Sequence, residues 1–218
     1  MIFLIPSLFL FFLLGILLLA IFFVILQVEI VRVAFGKLGI PPGVAFSILI
    51  LSLFGSAVNI PLCVREAHAG LQGCFYSFLL SWRAPEIANR QVIAINVGGA
   101  IIPLLICIYL LTKTPLLPIL FSSVISVIVC HMLATVVPGK GIVLPAFIPP
   151  VIAVILAFLF APRNKVPVAY VSGVLGVLIG ADLLNLPNLG NHPGIMSIGG
   201  AGVYDGIFLV GIISALLA

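Results

Sequence analysis

Two aspartates carry most of the chemistry open to this sequence. Asp182 stands in LIGADLLNLP and Asp205 in SIGGAGVYDGIFL, each inside an apolar run long enough to cross a bilayer. They are the only acidic residues in the second half of the chain. A carboxylate at membrane depth is costly and is usually kept for function. No Lys or Arg lies well inside an apolar run to neutralise them. Two close carboxylates do not both ionise cheaply, so a facing pair shares a proton and titrates as a coupled unit. Such a dyad can activate a water with one carboxylate while the other protonates a leaving group. It can equally bind a cation or pass protons. Alternatively each acid is protonated and tied to a nearby backbone group. Two acids on consecutive runs favour function over that alternative.

The neighbouring residues suit either kind of chemistry. Asn185 follows Asp182 by three positions and could share its site. Gly199, Gly200 and Gly202 precede Asp205 and would admit a substrate backbone or a helix at close range, with Tyr204 directly before the acid. Gly173, Gly176 and Gly180 fall on a helix face roughly opposite Asp182, which reads as helix packing. Asn59, Asn96 and His131 are further polar residues in or near apolar runs. Glu66-Ala67-His68 lacks the HExxH spacing of a zinc site, and no GxSxG, Walker or dinucleotide fingerprint occurs. No metal and no cofactor is expected.

The elements that must position these residues follow from composition. The chain has 218 residues, 64% hydrophobic and 6% charged. A soluble domain is about 25% charged, so the bilayer is the solvent this chain is built for. Its net charge of +4 then reads as juxtamembrane Lys and Arg, not as a nucleic-acid surface. A spanning helix needs roughly 20 mostly apolar residues. Seven segments qualify: 2–28, 44–60, 91–111, 115–137, 142–161, 166–186 and 196–218. Pro145, Pro149 and Pro150 predict a kinked or broken fifth helix. The apolar piece 71–82 is short for a span and suits an interfacial or re-entrant segment. Cys63 and Cys74 share one connection and would pair if it faced an oxidising compartment; two unpaired thiols is the simpler reading. Odd-numbered connections hold five Lys and Arg (Arg32, Lys37, Lys113, Arg163, Lys165) and even-numbered ones four, which does not fix the orientation. The basic flank after the first helix favours an external N-terminus and an internal C-terminus.

An internal repeat is visible. VAF and GSAVNIP (44–46, 55–61) are followed by GGA at 98–100; VAY and GADLLNLP (168–170, 180–187) are followed by GGA at 199–201. Four spans separate the copies, so they would run in the same direction. Ser56 then matches Asp182 and Leu104 matches Asp205, and only the second copy carries the acids. The fold expectation is all-α: one integral membrane domain over residues 1–218, about seven transmembrane helices, in a 3+1+3 parallel repeat.

GADLLNLP and GGAGVYDGIFL, together with the asparagine-proline end of the second span and INVGGAIIPL (95–104), resemble an uncharacterised prokaryotic multi-pass family catalogued as domain of unknown function 1614. That resemblance implies an integral protein of the prokaryotic inner membrane and brings no established activity. Two aspartates on the last two spans, the later one behind a glycine-rich entry, also resemble the GxGD intramembrane aspartyl proteases. By that resemblance Asp182 and Asp205 are the catalytic pair, although here Val203 and Tyr204 separate the glycines from Asp205.

The functional expectation is an intramembrane aspartyl-protease-like protein acting on a transmembrane peptide. The alternative is a proton- or cation-coupled transporter that uses the same two acids as its ion site. A third is a non-catalytic membrane scaffold. The partners are the lipid bilayer with transmembrane peptides or small cations, and no nucleic acid.

Overall fold

The computed structural model describes residues 4–66, 90–137, 141–189, 194–200 and 206–218. The apolar piece 71–82 lies outside them, as do Gly202, Tyr204 and Asp205.

Seven α-helices appear among the described residues: α1 (Leu4–Lys37), α2 (Pro42–Gly55), α3 (Ile102–Leu111), α4 (Leu116–Leu133), α5 (Ile148–Phe160), α6 (Lys165–Leu175) and α7 (Gly206–Leu217). Two are extended by π-helical turns. Val97–Ile101 leads into α3, and Gly176–Leu183 continues α6. Three helical stretches are long and apolar enough to cross a membrane: Phe9–Lys37, Leu116–Leu133 and Lys165–Leu183. The other four are shorter than the 20 residues expected of them, because strands and turns take up part of each apolar run.

Those strands correct the all-α expectation. β1 (Asn59–Glu66), β2 (Arg90–Asn96) and β5 (Gly194–Ile198) form one sheet in the order β1-β2-β5. β1 pairs antiparallel with β2, and β2 pairs parallel with β5, Ala94 opposite Ser197 and Ile95 opposite Ile198. A second, two-stranded sheet joins β3 (Thr135–Val137) to β4 (Gly141–Val143). Of the kinked or broken fifth helix expected, the broken form is found: Gly141–Val143 is strand and the helix starts only at Ile148. Pro149 and Pro150 occupy its first turn, where a missing N–H costs nothing, and the helix simply begins there.

Successive helices run in alternating directions. Phe121 near the start of α4 stacks on Phe160 at the end of α5. Gly176 and Gly180 of α6 meet Ser126 and Cys130 of α4, so those two helices are parallel. Lys37 at the end of α1 donates to the carbonyl of Leu216 at the end of α7 (2.6 Å). The ends of α1, α3, α5 and α7 therefore share one end of the bundle, and the two sheets lie at the other.

The core forms where α6 is surrounded. Val168, Ala169, Tyr170, Val171 and Val174 are fully buried. Phe35 of α1 packs on Tyr170 and, edge to face, on Phe208 of α7. Glycine lets α6 approach its neighbours: a Cβ on Gly180 would lie 2.3 Å from the carbonyl oxygen of Val127. The face carrying Gly173, Gly176 and Gly180 is thus a packing face, as its position opposite Asp182 predicts. Outward-facing side chains of α4 and α5 are apolar and exposed, among them Leu117, Phe121, Val151 and Leu159. A helix pair with that exterior suits lipid, not water.

Candidate functional site

The site is built at the sheet end, where α6 stops being an α-helix. Its π-helical extension carries Asp182 in the last turn, half-buried. The backbone N–H of Gly199, the residue after β5, donates to Asp182 Oδ2 at 3.0 Å. Gly199 has φ +70°, a left-handed conformation that glycine adopts without strain. Its Cα also presses on the first GGA segment: a Cβ there would lie 2.7 Å from the Cβ of Ala100. Gly200 follows in a tight turn, its N–H donating to the carbonyl of Ser197 (3.1 Å), and is exposed. Asp182 and Gly199 are thus in direct contact, with Gly200 next in the chain.

Asn185 does not join them. It is buried and turned back along its own helix, where Nδ2 donates to the carbonyls of Ala181 (3.0 Å) and Gly180 (3.2 Å). These are carbonyls that the end of the π segment leaves short of partners. Nδ1 of His131, in the last turn of α4, also accepts from Nδ2 at 3.2 Å. Asn188 donates to Asn185 Oδ1 (3.3 Å). Asn185 therefore shapes the segment that carries Asp182 and ties it to α4. Gly202, Tyr204 and Asp205 fall outside the described residues; Gly206, directly after Asp205, is the first residue of α7.

A second polar node stands one step along β5. Asn96, buried at the end of β2, donates through Nδ2 to the carbonyl of Ser56 (2.7 Å) and to Asn59 Oδ1 (3.0 Å). Its Oδ1 accepts the N–H of Gly99 (2.8 Å), capping the π turn that opens α3. Ser197 of β5 donates to the same Asn59 oxygen (2.5 Å). Ser52 of α2 donates to the carbonyl of Gly98 (2.8 Å). This node fixes β5, and hence Gly199, against the first half of the chain. The sequence flags Asn59 and Asn96 as polar residues in apolar runs, but Ser197 gives no such signal. Its role becomes visible only once β2 and β5 are paired.

Among the described residues no group of three or more His, Cys, Asp or Glu could hold a metal ion. Arg32 and Glu29 form the ion pair among these residues (3.2 Å), one turn before the end of α1. Cys63 on β1 is disulfide-bonded, which corrects the unpaired reading for that residue, while Cys107 and Cys130 are free and buried. Cys74 lies outside the described residues.

The family model described as "Protein of unknown function (DUF1614)" matches residues 53–217. The chain belongs to this family. The DUF1614 region begins within α2 and contains Asp182, Gly199, the Asn59–Asn96–Ser197 bonds and the five described strands, and it leaves out Ser52 and α1. No curated protein and no solved structure matches the chain.

Proposed function

We propose that this DUF1614 protein is an integral membrane protein of about seven spans, built as a 3+1+3 parallel repeat, that cleaves membrane-embedded peptides with Asp182 and Asp205. One observation carries the reading. The edge strand of the three-stranded sheet, β5, ends one residue before Gly199, whose N–H holds the Asp182 carboxylate. Asp205 follows six residues later, immediately before α7. Peptide hydrolysis needs an extended backbone beside the acids, and strands are the structure that presents one. An ionised carboxylate takes a proton from water as the water oxygen attacks the scissile carbonyl carbon. The protonated partner then gives its proton to the departing amide nitrogen as the C–N bond breaks. The products are a carboxylic acid and an amine, and the two aspartates have exchanged protonation states.

The test is incubation of the purified protein with a panel of transmembrane peptides, products read by mass spectrometry. Asp182→Asn and Asp205→Asn should each abolish cleavage. Cleavage that persists in Asp205→Ala would remove that residue from the chemistry.

A second reading rests on a different observation. The two GGA segments meet at Ala100 and Gly199; a π turn leads into α3 at that contact, and α6 leaves α geometry in a π segment that ends beside it. Interrupted helices and a carboxylate between two similar halves are features of secondary carriers. Under it, Asp182 binds a proton or small cation, and flux in reconstituted vesicles depends on pH or on that cation. Absence of such flux, with peptide cleavage present, decides for the first reading.

A further inference from the structure

The nine basic and five acidic side chains give the chain a net charge of +4. Their distribution is one-sided. Arg32 and Glu29 neutralise each other. Arg65, Arg83, Arg90 and Lys140 are matched in number by Glu66, Glu86, Asp182 and Asp205, and Glu66 stands opposite Arg90 across β1 and β2. What remains is Lys37, Lys113, Arg163 and Lys165. All four stand where α1, α3 and α5 end and α6 begins, at the end of the bundle opposite the sheets. Among the described residues, that end thus carries four basic side chains and no acidic one beyond the Arg32–Glu29 pair.

The side chains there are set among aromatic rings. The Lys113 ammonium lies 4.3 Å from the centre of the Tyr109 ring, and that of Lys165 lies 4.2 Å from the centre of Phe158. Lys37, Lys113 and Arg163 are exposed. Rings with cations just beyond them form the usual boundary between hydrocarbon and headgroups. The opposite end carries an independent mark. Cys63, on β1, is disulfide-bonded, and disulfides persist on the oxidising side of a membrane.

We infer that the end bearing Lys37, Lys113, Arg163 and Lys165 docks on anionic phospholipid headgroups of the cytoplasmic leaflet, which places the Asp182 end at the opposite, oxidising face. Headgroup phosphates supply the negative charge that the chain itself does not place at this end. The inference rests on the helices crossing a bilayer and is independent of what Asp182 does.

Two measurements test it on the full chain. The first is the association of spin-labelled phosphatidylglycerol, relative to phosphatidylcholine, with the protein in mixed vesicles. Wild type should prefer phosphatidylglycerol, and salt should weaken the preference. Lys113→Ala/Arg163→Ala/Lys165→Ala should lower it roughly five-fold or more for each side chain that reaches the headgroups, while Lys113→Arg/Lys165→Arg keeps it. Equal preference in the alanine and wild-type proteins overturns the inference. So does displacement of the lipid by millimolar inorganic phosphate, which would mark a site for a free anion. The second is labelling by a membrane-impermeant maleimide. Asn188→Cys, beyond the π segment, should react in intact cells, and Lys113→Cys only after permeabilisation. The reverse pattern overturns the orientation. Release of the protein from membranes by alkaline carbonate would instead overturn the spanning helices themselves.

Discussion

Asp182 and Gly199, seventeen residues apart, are joined by a 3.0 Å hydrogen bond from the glycine N–H to the carboxylate. The bond links the end of a helix to the end of a strand. It ties β5 to the end of α6 through Oδ2 of the carboxylate.

Asp182→Asn should fold normally, because its side-chain oxygen can still accept the Gly199 N–H. Asp182→Ala leaves that buried N–H unpaired, a loss of about 1–3 kcal/mol. Denaturant unfolding in micelles should separate the two variants. Equal loss of stability in both would mean that the bond contributes nothing.

Gly199→Ala should destabilise by at least about 2 kcal/mol. A left-handed conformation costs an L-residue roughly 1–2 kcal/mol. The new methyl would also meet Ala100 at 2.7 Å, and overpacking adds about 1–3 kcal/mol. A lowered midpoint in thermal unfolding would show it. Ala100→Gly should recover only a small part, since the Ala100 backbone nitrogen would still lie 2.9 Å from the new methyl.

On the packing face, Gly180→Ala should cost more than Gly176→Ala. The first methyl meets the backbone carbonyl of Val127 at 2.3 Å, which cannot turn away. The second meets the Ser126 hydroxyl at 2.1 Å, which is free to rotate. Ser126→Gly should therefore rescue Gly176→Ala and leave Gly180→Ala unchanged, as read by the fraction of folded protein surviving a heat step.

Asn96→Ala removes three hydrogen bonds at once, to Ser56, Asn59 and Gly99. At about 0.5–1.5 kcal/mol each, the loss is roughly 2–4 kcal/mol. Asn59→Ala, at an exposed position, should cost less. Hydrogen exchange should then quicken at β5 and Gly199, reporting the detachment of that strand from the first half.

Much of this was legible from the residues. Apolar length locates the seven helices of the described residues, and the position of Gly173, Gly176 and Gly180 opposite Asp182 identifies them as packing. The strands were hidden because an unbroken apolar run reads the same as a buried strand or a buried helix. Gln91–Asn96 and Met196–Ile198 sit at the front of runs long enough to be spans, and length argued for helix. What makes them strands is each other, across about a hundred residues of chain. The hydrogen bonds of Asn185 are hidden for a related reason. Spacing puts it near Asp182, but the carbonyls left open by the π segment claim its amide first. The Gly199 contact could not be read at all, since it depends on the turn that closes β5.

The π segment that carries Asp182 holds one residue more than an α-helix of the same length would. If the extra residue were passed along the helix, every side chain beyond it would rotate to a new bearing, Asp182 included. A single-residue deletion within Gly176–Leu183 would force that rotation permanently and aim the carboxylate away from Gly199. The π segment thus sets the bearing of Asp182.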